Sequence, residues 1–154
     1  MKYYNLPKNP SSLAGTIGKE VPKEMQFWTK EEYLKFAEEM MDKPRSYYAF
    51  ELLYWTGIRS GELLALTPGD FDFEKQTLRI NKTFHRSKGK DIITTPKTVK
   101  SNRIITLPPF LCDEIKDYLG MFYEIGESER MFSFTKSYLG HEMERGCKAS
   151  GVKK

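Results

Sequence analysis

The residues best suited to chemistry on an anion fall in two places. The first is Thr56-Gly57-Ile58-Arg59-Ser60-Gly61-Glu62-Leu63-Leu64-Ala65-Leu66, where one arginine stands in a glycine-bracketed turn between two apolar runs. A guanidinium is planar, permanently charged and forked, so Arg59 suits a phosphate or another oxyanion. Ser60 as N-cap and Glu62 in the first turn predict a short helix whose backbone N–H groups point the same way as the arginine. The bland alternative is an arginine that only pairs with Glu62. The second place runs from Lys82 to Arg103, where Lys82, Arg86, Lys88, Lys90, Lys97, Lys100 and Arg103 face Asp91 alone. The bland reading of a charge run is a solvated face, and basic residues that coincide with a predicted hairpin are a better candidate for a phosphate-facing surface. By contrast, the run from Glu24 to Asp42 is acidic, with Glu24, Glu31, Glu32, Glu38, Glu39 and Asp42 against Lys30 and Lys35.

Other chemistries are poorly supplied. Only His85 and His141 are present, and Cys112 and Cys147 lie far apart with no histidine or cysteine at ligand spacing. A metal site or a Ser-His-Asp triad is hard to build from that set, so neither is expected. The chain carries 154 residues, a net charge of +4 and 39% hydrophobic residues, enough for one domain with a proper core. No stretch reads as a membrane span or signal peptide, and the expected location is the cytoplasm.

The elements that must hold these residues follow from periodicity and punctuation. Residues 1–27 read as a linker, interrupted by Pro7, Pro10, Gly15, Gly18 and Pro22, and a domain from 28 to 154 follows. Thr29 and Glu32 form a capping box, Trp28 and Tyr33 a hydrophobic staple, and the first helix runs to about Asp42. Pro44 opens a second, Arg45 to Trp55, which Gly57 ends; the short helix after Arg59 stops at Thr67-Pro68-Gly69. Period-two alternation over Leu78, Ile80 and Phe84 predicts a strand that turns at Ser87-Lys88-Gly89-Lys90 into Ile92–Thr95. A turn through Lys97–Asn102 leads to a third strand, Arg103–Leu107, giving a small three-stranded antiparallel sheet. Leu111, Ile115, Tyr118, Leu119 and Phe122 mark a core-facing helix, and a last helix begins near Thr135 or Ser137 and reaches Ala149. The fold class is α+β and mainly helical.

Two segments together carry a resemblance. TGIRSGELLALTPGDFDF resembles the first arginine box of the tyrosine recombinases, the phage integrase family, and TPKTVKSNRIITLP resembles that family's lysine-bearing β-hairpin. The preceding NPSSLAGTIGKEVPKEMQFWTKEEYLKF is similar to the linker and first catalytic-domain helix of integrases from phages and conjugative transposons of Gram-positive bacteria. The resemblance implies a DNA breaking-rejoining catalytic domain that works through a 3′-phosphotyrosine, without metal or nucleotide. On it, Arg59 is the first catalytic arginine and Lys97 the lysine acting as general acid, with Lys100 the neighbouring alternative. Glu62 orients the arginine turn, and Arg86, Lys88, Lys100 and Arg103 meet DNA. The implied partners are double-stranded DNA at recombination core sites and, in the full-length protein, other protomers in a tetramer on DNA.

The sequence also departs from that family. It contains no His-x-x-Arg box and no nucleophilic tyrosine behind one; Leu139-Gly140-His141 imitates a later family motif without its context, and Tyr138 reads as an ordinary helix residue. The expectation is a partial catalytic domain, preceded by a linker from a missing core-DNA-binding domain and inactive by itself. The alternative is a non-catalytic DNA-binding module using the same surface.

Overall fold

The computed structural model describes residues 27–95 and 102–153. Helix α1, Lys30–Glu38, starts as expected: Thr29 Oγ1 accepts from Glu32 N at 3.3 Å, and Glu32 Oε2 accepts from Thr29 N at 2.8 Å. Trp28 makes its ring contact with Phe36, 4.9 Å between centroids, one turn beyond the expected staple partner Tyr33. The helix ends four residues earlier than expected, in tight turns such as Met40 N to Ala37 O and Lys43 N to Met40 O. The residue before a proline avoids helical angles, and Pro44 imposes that on Lys43.

Helix α2, Pro44–Thr56, is buried at Ser46, Tyr48, Ala49, Phe50, Glu51 and Leu52. It ends on Gly57, whose φ of +63° is left-handed and whose N–H donates to Leu53 O. Helix α3, Ser60–Leu63, is short, and its last turn tightens through Ala65 N to Glu62 O and Leu66 N to Leu63 O. Leu63, Leu64, Ala65 and Leu66 are all buried, so this turn is driven by the core rather than by propensity. Ser60 is the first helical residue rather than the N-cap. Arg59 takes the cap position, because its backbone N–H is the one the Glu62 carboxylate receives.

A 3-10 turn, Pro68–Asp70, leads into β1 (Phe71–Asp72) and β2 (Thr77–Ile80). The three-stranded antiparallel sheet is present, in the order β1-β2-β5, with β5 spanning Arg103–Thr106 and Leu78 opposite Ile105. Its membership differs from expectation. The strand predicted through Phe84 breaks after Ile80, and β3 (Thr83–Ser87) pairs with β4 (Lys90–Thr94) in a separate two-stranded sheet. Lys82 lies in the break, its Nζ drawn to Asp70 at 2.7 Å and to Thr67 Oγ1 at 3.0 Å. The hairpin turn lies where expected, with Lys88 and Gly89 both at positive φ, 49° and 76°, as a two-residue loop matched to strand twist requires.

Helix α4, Pro109–Gly120, buries Leu111, Cys112, Ile115 and Tyr118. Helix α5, Lys136–Ser150, is capped by Thr135 and ends on Gly151 at φ +72°. It packs on α1 so closely that a Cβ on Gly146 would lie 2.8 Å from Met40 Sδ and strike the Phe36 ring. Among the described residues no helix is long and apolar enough to cross a membrane.

Candidate functional site

Glu62 is the centre of the arginine turn. It is 5% exposed and accepts four hydrogen bonds: Arg59 N at 2.8 Å, Arg59 Nη1 at 3.2 Å, and a bidentate pair from Arg103 Nη1 and Nη2 at 2.9 and 2.8 Å. Burial alone pushes a carboxyl upward. Here the Arg103 fork and the Arg59 backbone amide outweigh it, holding Glu62 below the usual carboxylate range. The same pairing raises Arg103. Two guanidinium groups around one carboxylate leave a positive balance, and it falls on Arg59, whose side chain is 76% exposed.

Gly61 brings this turn against the hairpin. A Cβ there would sit 2.6 Å from Thr83 Oγ1 and 3.0 Å from Phe84 O, so only glycine lets α3 lie on β3 at this distance. A cleft of about 510 Å³ opens at the contact, lined by Ser60, Gly61 and Leu64, by Phe84, His85 and Arg86, and by Thr135, Lys136 and Ser137. Arg86 is exposed on β3, donates to Gly89 O at 3.3 Å and lies 3.5 Å from Asp91. Lys88 is exposed at the turn. The arrangement can hold an extended polyanion: one exposed fork set by a buried carboxylate, with a cationic hairpin beside it.

Of the sequence-derived site residues, Arg59, Glu62 and Arg103 come together in one ion-pair cluster, with Arg86 and Lys88 on the adjoining hairpin. Arg103 is the surprise, for its fork faces Glu62 and ties β5 to α3. Lys97 and Lys100 lie outside the described residues, as does most of the 1–27 linker. Tyr138 is indeed a helix residue, its hydroxyl 2.9 Å from Ser46 Oγ, and His141 is exposed on α5. Among the described residues there is no group of three or more His, Cys, Asp or Glu side chains that could hold a metal ion.

Sequence reasoning missed Arg130, which sits in a polar loop without periodicity. Its guanidinium stacks 3.9 Å from the Phe84 ring centre, donates to Leu64 O at 2.8 Å and Phe132 O at 2.9 Å, and reaches Asp91 at 3.3 Å. It also missed the Asp70 buttress, in which Thr67 N and Oγ1 donate to Asp70 Oδ2 while Lys82 pairs with the same carboxylate. The signal was available: a Thr-Pro-Gly-Asp run is a capped turn, and the acid at its end is placed to reach back.

The sequence model of the phage integrase family matches residues 26–142, more than half of the chain and all of the arginine turn and hairpin. This chain belongs to the phage integrase family. Among curated relatives, the tyrosine recombinase XerC-like protein of Caldanaerobacter subterraneus subsp. tengcongensis is 33% identical over 127 residues, 73% of this chain and 32% of that protein. The ICEBs1 integrase of Bacillus subtilis is 34% identical over 89 residues, 55% of this chain and 23% of its own length. The chain therefore spans about a third or less of these relatives. Among solved structures, the Tn1549 transposon integrase in complex with transposon right end DNA superposes with a TM-score of 0.76 at 20% identity, covering 97% of this chain and 53% of that one. The XerA recombinase superposes at 0.66 and 18% identity, covering 90% and 47%. These likenesses are to tyrosine recombinase folds, and this chain has that fold over its described residues.

Proposed function

We propose that this chain supplies the DNA-gripping, first-arginine half of a site-specific recombinase active centre. The observation that carries the reading is the Arg59–Glu62–Arg103 cluster, which holds an exposed arginine fork beside a basic hairpin. A phosphoryl group in transit spreads charge over its oxygens, so the protein's task is positioning and neutralisation. Arg59 is assigned to the scissile phosphate, with Glu62 as its positioning residue. Arg86 and Lys88 neutralise the flanking backbone. Arg103 adds its charge to this edge while its fork stays on Glu62. Lys97 is assigned as the general acid for the leaving 5′ oxygen, with Lys100 as the alternative. That the Tn1549 integrase is solved with DNA supports the same partner for this chain. The recombinase tetramer and the division into residues 1–27 and 28–154 remain part of the proposal, for the full-length protein.

On this reading the chain alone holds DNA without cutting it. The sequence has no His-x-x-Arg, and the Tyr138 hydroxyl is engaged by Ser46 at the α2–α5 contact. The test is a nicked duplex incubated with the chain and resolved on a denaturing gel: no covalent protein–DNA species is expected. A stable adduct would overturn the inactivity. Arg59→Ala and Lys97→Ala separate catalysis from anchoring. In a full-length integrase carrying this segment, cleavage falls more than affinity if they do chemistry; equal loss of both favours the non-catalytic DNA-binding module.

A further inference from the structure

Among the described residues the β3–β4 hairpin shares no ladder with the three-stranded sheet, and β4 is largely exposed, with Ile93 at 50%. Its angle to the arginine turn is therefore set by side-chain contacts along β3. Phe84 is buried there, and Arg130 lies over it. One planar group stacks on the hairpin's inner aromatic ring, donates to the carbonyl of Leu64 at the C-cap of α3 and to the Phe132 carbonyl in the segment before α5, and pairs with Asp91 on β4. Asp91 in turn lies 3.5 Å from Arg86 Nε, so the contact continues to the outer face of the hairpin. The Arg130 side chain is only 16% exposed, which removes it from direct contact with a large ligand.

We propose that Arg130 is a positioning residue that clamps the hairpin to the arginine turn, fixing Arg86 and Lys88 at the angle from which they reach the DNA that Arg59 grips. This rests on the DNA-binding reading above. Lysine cannot replace the fork: a single ammonium cannot serve carbonyls on two segments, pair with Asp91 and stack flat on Phe84 together.

The experiment uses the full chain and a fluorescein-labelled duplex, with affinity measured by anisotropy from about 50 to 200 mM salt. Each lost phosphate contact makes the log–log salt slope shallower by about 0.9. Arg130→Met and Arg130→Lys, with folding checked by circular dichroism, are both expected to flatten the slope by about two contacts' worth. Arg86→Ala with Lys88→Ala should do the same in the wild-type background and add nothing further to Arg130→Met. A merely structural role lowers the melting temperature but leaves the slope and that coupling unmoved. Arg130→Lys covers the case in which Arg130→Met fails to fold. Folded variants that keep the wild-type slope, or losses that simply add, overturn the clamp while leaving the DNA reading intact. A wild-type chain with no salt-dependent binding overturns both.

Discussion

At the residue scale the site depends on one buried carboxylate. Glu62 organises Arg59 and Arg103, taking four hydrogen bonds from them while itself only 5% exposed. Glu62→Ala is expected to destabilise the fold by about 2 kcal/mol in chemical denaturation, the range for losing hydrogen bonds to a charged group. Glu62 and Glu142 are both held below the ordinary carboxylate range. For Glu142, the pull of Lys43 and Arg145 overcomes burial. A carboxyl lowered by folding contributes stability above its unfolded pKa, about 4.3 for Glu, and loses it as pH falls through the folded value. Acid unfolding should therefore set in below about pH 4, and Glu62→Gln should weaken that dependence.

A second carboxylate behaves in the opposite sense. Glu114 on α4 is pushed above the usual range by burial and by the Glu51 charge, against the lowering effect of the Tyr47 hydroxyl. Glu51 is itself buried, accepting from Tyr33 Oη at 2.6 Å and Trp55 Nε1 at 2.8 Å. A raised carboxyl favours folding below its unfolded pKa and penalises it as pH rises through the folded value. Glu114→Gln should raise the melting temperature at pH 8, with the gain vanishing near pH 4. A constant gain across that range would sink this assignment.

At the element scale, close approach rather than propensity fixes the geometry. Gly61 lets α3 meet β3, and Gly146 lets α5 meet α1, each with no space for a methyl group. Gly146→Ala should cost about 1–3 kcal/mol, the range for overpacking a tight core, without changing DNA affinity at temperatures where the variant is folded. Gly61→Ala should cost stability and also weaken DNA binding, because it pushes the hairpin away from Arg59. The helices were largely legible beforehand. Thr29/Glu32, Pro44, Gly57 and the Leu111–Ile115–Tyr118 stripe act through bonds and spacings within a turn or two. The sheet was legible only in part, because alternation reports which face of a strand is buried and not which neighbour it pairs with. Nothing in Leu78-Arg79-Ile80-Asn81-Lys82-Thr83-Phe84 announces that Lys82 will turn to Asp70 and split the strand.

At the scale of the whole molecule, the arginine turn could be found because its residues are contiguous. The Arg103–Glu62 pair and the Arg130 clamp could not, for they join residues 41 and 66 positions apart. What the fold adds to the sequence is thus a cationic face whose parts are fixed to one another: Arg59 through Glu62, β5 through Arg103, the hairpin through Arg130. This face is the one proposed to bind DNA phosphates. The direct measurement is duplex affinity as a function of salt, for the wild-type chain and for Arg59→Ala with Arg86→Ala and Lys88→Ala. Engagement of roughly four to six phosphates predicts a wild-type log–log slope of about −4 to −5, flattened by nearly three units in the triple variant. Affinity indifferent to salt, or equal slopes for the two proteins, would contradict the account.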